Sequence, residues 1–269
     1  MKIWQTIKGC ALPILETILI IAVFFLPTWL DLESQFVHYI KQPADPENYV
    51  WKYAIEHGNF AIGALLSVSV LLGVRNFNKN AMMNRINAYY SYPYCVYWYC
   101  AKILGIRKCN LANTPIYIQV RLILQKVFDE FLLDSYPEEQ NGKISLVEVN
   151  SEKNCDREVN LILEDTYPIK EDYIPAAKRN VYGIRISRNS STRSRNYSPK
   201  LISKTAEAVS GLPSGSTVNV FATTNPKNTL EIANQAFKSA NRGPIDHLYV
   251  YQQHKKKGWA FSAKGKKIY

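Results

Sequence analysis

The chain is expected to fold as two transmembrane α-helices followed by a cytoplasmic α/β domain, and three observations predict this. Two long apolar runs fall within the first 74 residues. From residue 144 onward, strand-like and helix-like patterns alternate. The positive charge is concentrated in the last third of the chain.

The first apolar run is Cys10 to Leu30, CALPILETILIIAVFFLPTWL. Crossing a bilayer takes roughly 20 mostly apolar helical residues, and this run has them. A signal peptide is the alternative, since Lys2 and Lys8 precede the run. The run exceeds an h-region of roughly 7 to 15 residues, and no small-x-small cleavage site follows it. The second run, Asn59 to Val74, reaches spanning length when Ile55 to Gly58 is included. Its alternative is a buried core helix. A neighbouring span favours the membrane reading.

The flanks orient the pair. Lys2 and Lys8 precede the first span, and Arg75, Lys79 and Arg85 follow the second. The connecting loop holds Asp31, Glu33, Asp45, Glu47 and Glu56 against Lys41 and Lys52. Positive residues stay on the cytoplasmic side, so both termini are expected in the cytoplasm. Glu16 lies inside the first span, between Pro13 and Pro27. It either faces a bundle interior or wet path, or snorkels to the cytoplasmic interface. Gly63/Ser67 and Ser69/Gly73 are small-xxx-small pairs, which let helices approach closely and also arise often by chance. They are the candidate packing residues of the membrane region, which spans 1–76.

Residues 77–143 are expected to form a membrane-proximal helical segment. Tyr89, Tyr90, Tyr92, Tyr94, Tyr97, Trp98 and Tyr99 crowd the stretch 80–106. This reads as a helix interrupted at Pro93, lying either at the headgroup level or over the domain core. Pro115 to Leu133 carries Ile116, Val120, Ile123, Leu124, Val127 and Phe131 at helical spacing, with Thr114 as the expected N-cap.

From 144 to 269 the period changes. Strands are expected at Ile144–Val149, Val159–Leu163, Val181–Ser187, Val218–Thr223 and His247–Gln252, with a last one at Trp259–Ser262. A helix from Ser198 and Pro199 runs to about Ser210, and another follows Pro226 and ends near Asn241. Strands alternating with helices argue for βα units on a largely parallel sheet.

Between 181 and 269 there are fifteen Lys and Arg against three acidic residues. A basic face invites phosphate, whether nucleotide, nucleic acid or anionic lipid. The plainer reading is solubility and attraction to an anionic leaflet, about 1 kcal/mol per surface cation. Placement favours a phosphate-bearing ligand, because ligands of open α/β sheets bind beyond the C-terminal ends of the strands. Two strand-to-helix turns there carry suitable groups. One contributes Ser187, Arg188, Asn189, Arg193 and Arg195; the other contributes Thr223, Thr224, Asn225 and Lys227. The second also reads as a simple cap before a Pro-initiated helix. Neither turn has a Walker or dinucleotide glycine pattern.

The segments VNVFATTNPKNTLEIANQAF, HLYVYQQ and WAFSAKGKK resemble the C-terminal half of a SAVED domain, with Val220, Phe221, Ala222, Pro226, Val250 and Tyr251 at the matching places. GIRISRNSS, Gly183 to Ser191, resembles that family's preceding strand and polar turn. The resemblance covers about 180–269, and it implies a Rossmann-like, CARF/SAVED-like fold for the domain 144–269 and a cyclic oligonucleotide as ligand. Residues 144–269 are short for the two CARF-like halves of a full SAVED domain. Membrane-anchored SAVED proteins are effectors of CBASS anti-phage systems, in which a nucleotidyltransferase makes the signal and the effector damages the inner membrane. By that resemblance the chain is expected in a bacterial inner membrane; its two spans make it multi-pass with lipid as a partner, and its small-xxx-small pairs favour association with further copies of itself.

No HExxH, Ser–His–Asp or paired acidic signature is present, so the chain is not expected to be an enzyme and no cofactor is expected. Glu164 and Asp165 end a strand, where they read as solvated groups more readily than catalytic ones. Cys10, Cys95, Cys100, Cys109 and Cys155 lack CxxC spacing and read as reduced thiols. Three functions compete: a ligand-gated membrane effector, a component of a membrane secretion or conjugation complex with a basic interaction domain, and a membrane-tethered nucleotide-processing enzyme.

Overall fold

The computed structural model describes residues 2–35, 49–85, 89–139, 142–152, 157–189, 195–238, 243–254 and 258–269. Arg193, Cys155, Lys255 to Lys257, the expected helix end at Asn241 and the loop charges Lys41, Asp45 and Glu47 lie outside the described residues. The chain divides into two compact units. One is Met1–Ile86 with Cys95–Cys109, and the other is Asn87–Tyr94 with Asn110–Tyr269. The segment expected as one piece, 77–143, is thus shared between them.

The first unit is built on helices α1 (Lys2–Trp29) and α2 (Tyr49–Phe77), which pack along one another. Their apolar stretches are Ala11–Trp29 and His57–Asn80, with mean hydropathies of 2.1 and 1.7. Leu15, Ile18, Leu65 and Leu72 point outward along them, as a lipid-facing surface requires. Helix α3 (Tyr94–Lys102) begins directly after Pro93. The interruption expected at Pro93 is present, but the part of the expected helix before it does not form. Residues 89–93 are non-helical, and Met82–Met83 forms a short strand, β1. β1 pairs in parallel with β2 (Lys108–Asn110). Proline disfavours the helical conformation in the residue before it and is suited to a helix entry, which explains the break. Tyr90, Tyr92 and Tyr97 are buried, whereas Tyr89 and Trp98 stay exposed.

The second unit opens with α4 (Ile116–Leu124). The helix expected to reach Leu133 stops nine residues short of that. Lys126 adopts a left-handed φ of 46°, Val127 N–H turns back to the Leu122 carbonyl, and Glu130–Leu132 is a strand, β3. Val127 and Phe128 are still buried, so an apolar period persists through a chain reversal. The N-cap is Pro115, not Thr114, and it makes no side-chain capping bond.

The main sheet contains β4 (Lys143–Val149), β5 (Glu158–Glu164), β6 (Gly183–Asn189), β7 (Ser216–Ala222), β8 (Ile245–Tyr251) and β9 (Lys266–Lys267), in the order β4-β6-β5-β7-β8-β9. The four central strands are parallel, and β4 and β9 are antiparallel edges. The last strand expected at Trp259–Ser262 is replaced by β9; within that stretch Phe261 makes only an isolated bridge to Gln253. Helix α6 (Pro199–Ser210) links β6 to β7. Helix α7 (Pro226–Ile232) follows β7 and continues as a π-helical turn over Ala233–Phe237. Between β5 and β6 the crossover is a 3₁₀ turn and the short helix α5 (Ala176–Arg179).

Alternation along the strands separates two buried layers. Val159, Leu161, Leu163, Ile184, Ile186, Val218, Val220, Leu248 and Val250 form one of them. Ile162, Phe221 and Tyr251 point the other way and pack with Ile169, Ile174 and Phe261. The Phe221 and Tyr251 rings stack at 4.5 Å between centroids. Burial on both faces explains why these central strands read as near-continuous apolar runs.

Candidate ligand site at the strand ends

The chain leaves β5 toward β6 on one side, and leaves β7 toward β8 on the other. A switch of direction between adjacent parallel strands opens a crevice beyond their C-terminal ends. The residues after β5 and β7 stand there: Asp165 and Thr166 from one, Thr223, Thr224 and Asn225 from the other.

Asp165 organises this crevice. Its Oδ2 accepts from the Asn225 backbone N–H at 3.1 Å, from Asn225 Nδ2 at 3.1 Å and from Asn228 Nδ2 at 2.8 Å. Its Oδ1 lies 2.8 Å from Arg188 Nε, and both side chains are fully enclosed. Arg188 also donates to Glu139 Oε1 at 3.0 Å and to the Asp165 carbonyl at 3.3 Å. Burial pushes the Asp165 carboxyl up from its ordinary range, against the opposing pull of Asn225, Asn228 and Arg188. The two loops are tied together as well. Asn225 and Asn228 both donate to the Asn196 carbonyl, at 2.8 and 3.0 Å, and Ser198 N–H donates to Asn228 Oδ1 at 3.0 Å. Asn225 Oδ1 accepts from Asn228 N–H at 2.9 Å, capping α7.

The residues expected to hold a ligand therefore fall into two groups. Arg188, Thr223, Thr224 and Asn225 are buried and bonded within the protein. Thr223 Oγ1 donates to the Tyr167 carbonyl at 2.7 Å, and the Thr224 and Thr229 hydroxyls pair at 2.8 Å. Ser187 Oγ donates to Glu164 Oε2, and Glu164 also pairs with Arg185. These groups build the floor of the crevice. The second group faces outward. Arg195 is exposed, and Lys227 is partly exposed, 3.0 Å from Glu231 and over the Tyr197 ring. Asn189 ends β6 opposite Lys143, and Arg193 lies outside the described residues.

Sequence reasoning missed Asn196 and Asn228 and gave Asp165 the wrong setting. The readable signal was a pair of Asn residues three apart at a helix entry, one capping and one reaching back. Nothing in the chain order announced that Asp165, 60 residues earlier, would receive both. A second, open cleft of about 610 Å³ lies toward the opposite ends of the strands, lined in part by Arg157, Glu158, Lys178, Asn219 and Lys264. There Glu158 pairs with Lys178 and accepts from Asn219 at 2.8 Å.

In the anchor, Gly63 is buried against α1. A Cβ added there would collide with the Phe24 carbonyl oxygen, and Ser67 Oγ donates to the Ile20 carbonyl at 3.2 Å. That small pair is spent on the contact between the two spans of one chain. Ser69 and Gly73 are exposed, and nothing lies within 4 Å of a Cβ at Gly73. Glu16 is buried and accepts from Asn78 Nδ2 at 2.9 Å, while the same amide reaches the Leu104 carbonyl at 3.0 Å. Thr17 Oγ1 and Tyr99 OH meet at 2.9 Å.

A family model described as "SMODS- and Ubiquitin system-associated 2TM effector domain" matches residues 1–268. Comparison with curated proteins gives no match. Among solved structures, the chain is similar to the Acinetobacter baumannii Cap4 SAVED/CARF-domain containing receptor with the cyclic trinucleotide 2′3′3′-cAAA, at 8% identity and a TM-score of 0.42. The alignment covers 65% of this chain and 40% of that one. The same receptor with 3′3′3′-cAAA aligns at 8% identity and a TM-score of 0.41, over 65% of this chain and 41% of that one. The chain thus spans well under two thirds of the receptor's length.

Proposed function

Because this chain belongs to the family of SMODS- and ubiquitin system-associated 2TM effectors, we propose that it senses a cyclic oligonucleotide through its α/β unit and disrupts the inner membrane in anti-phage defence. The carrying observation is the crevice at the switch between β5 and β7. It has a buried polar floor knit by the Asp165, Asn225 and Asn228 hydrogen bonds and a cationic rim, and two helices of spanning length share its chain. A fixed floor limits the reorganisation that binding requires, and rim cations supply charge-assisted bonds to phosphates. Binding would shift the arrangement of several copies only through a difference in affinity between arrangements. A polyanion bridging basic faces supplies such a difference by relieving their mutual repulsion. Ser69/Gly73 is the small pair left for contact between copies.

The test uses purified full-length protein in lipid vesicles holding a self-quenched dye. It is titrated with a panel of cyclic di-, tri- and tetranucleotides. One panel member is expected to bind by calorimetry and to release the dye. Arg195→Glu combined with Lys227→Glu is expected to abolish both effects with the thermal melt unchanged. Binding without dye release would refute the membrane output, and binding unaffected by the charge reversals would refute the site.

A further inference from the structure

Resting on that reading, we infer that Tyr167 and Trp259 form a stacking platform for a nucleobase of the ligand. Tyr167 lies two residues beyond Asp165, and its carbonyl takes the Thr223 hydroxyl, so it stands at the rim of the β5–β7 crevice. Trp259 comes from the loop after β8, the next strand over. The two rings pack together at 5.8 Å between centroids and 40° between planes, a tilted aromatic pair whose outer faces remain available. Both side chains stay open to solvent, Tyr167 at 41% and Trp259 at 39% exposure. Neither is needed to close the core on this side of the sheet, because Phe261, Ile169 and Ile174 already do so against Phe221.

The backbone holds Trp259 in this position at a cost. Gly258 and Trp259 both have left-handed φ, 63° and 68°. For a bulky residue that conformation is an outlier, and it persists only where surroundings impose it. Here the loop is tied at several points. Trp259 N–H donates to the His254 carbonyl at 3.2 Å, His254 N–H to the Ala260 carbonyl at 3.0 Å, and Ser262 N–H to the Gln252 carbonyl at 2.8 Å. An indole held outward by a tied loop, next to a tyrosine and at the rim of a cationic crevice, offers what a nucleotide needs beyond its phosphates. Every base has a π-face, and aromatic side chains recognise it by stacking. The occupant is therefore a base of the same molecule whose phosphates meet Arg195 and Lys227, and a purine is favoured for its larger face.

The test takes full-length protein in nanodiscs and a calorimetric panel of cyclic di-, tri- and tetranucleotides made with adenine or with uracil. Tyr167→Ala and Trp259→Ala are each expected to weaken the tightest panel member by about tenfold or more, and Tyr167→Phe and Trp259→Phe to stay within about twofold. The preference for adenine over uracil is expected to shrink in the Ala variants. Wild-type affinity in both Ala variants, beside lost affinity in Arg195→Glu/Lys227→Glu, would overturn the platform and leave the sensing reading intact. If no panel member binds the wild type, the sensing reading itself falls and the platform with it. If the Ala variants lose only their attachment to anionic vesicles, the pair is a membrane contact and the inference is refuted.

Discussion

The guanidinium of Arg188 and the carboxylate of Asp165 meet 2.8 Å apart with no solvent reaching either side chain. An arginine that in the linear chain looks like a ligand contact is in the fold a keystone between β5 and β6. Removing one partner of a buried pair leaves an uncompensated charge. Arg188→Ala is expected to lower unfolding stability by about 3 kcal/mol. Arg195→Ala, on the exposed rim, is expected to stay within about 0.5 kcal/mol of wild type. Thermal melts of the two variants in detergent check the contrast; equal shifts would refute it.

Two carboxyls give opposite pH signatures. Burial raises Asp165 above its ordinary value of 3.8. Such a group contributes stability that is present below the ordinary value and lost as pH rises through the raised one. Burial also acts upward on Glu158, but hydrogen bonds from Lys178 and Asn219 outweigh it and bring the carboxyl below its ordinary 4.5. Its contribution is present above 4.5 and lost as pH falls through the lowered value. Relative to wild type, Asp165→Asn is expected to gain stability as pH rises across the acid range, and Glu158→Gln to lose it. Chemical denaturation of the full chain at stepped pH reads both, and slopes of the same sign would contradict the assignment.

The two small pairs of α2 are expected to behave differently. Gly63→Leu drives a side chain into the Phe24 carbonyl, so it is expected to deplete the protein from the membrane fraction. Gly73→Leu meets open space, so accumulation is expected to remain normal. If Ser69/Gly73 is the seam between copies, Gly73→Leu is expected to abolish ligand-dependent dye release and leave ligand binding intact. Normal release from Gly73→Leu vesicles would remove that seam from consideration.

Topology has a direct readout. Alkaline phosphatase fused after Tyr269 is expected to be inactive, and fused within the loop 31–56 to be active. This follows from the basic flanks of both spans and the acidic loop between them. The reverse pattern would put the α/β unit outside the cell and end the sensing proposal.

Phe221 is completely buried and touches the rings of both Tyr251 and Phe261. Phe221→Ala is expected to cost about 3–5 kcal/mol. A melt unchanged from wild type would show that this layer is not a core.

The strands and spans were legible because their signals are local. Val159–Leu163 and Val218–Ala222 are apolar on both faces, and α1 and α2 carry the length a bilayer demands. Val127 and Phe128 continue the apolar period of the helix at 116 and so predict a longer helix, although the backbone has already turned at Lys126. Periodicity records burial and does not record direction. The crevice was half legible. Its loops were found from hydroxyls, amides and arginines, but the division into floor and rim depends on Asp165 and Glu139. Those two are distant in the chain and become partners of Arg188 only when β6 is flanked by β5 and β4. Gly63 and Gly73 look alike as letters, and the lack of room for a Cβ against the Phe24 carbonyl at Gly63 distinguishes them.

The chain passes from one compact unit to the other after Ile86, back again after Tyr94, and over once more after Cys109. Three lengths of backbone thus join the anchor to the α/β unit. A single tether would let one body swivel while the other stayed still. With three, a nick in any one of them leaves the two units still joined through the others.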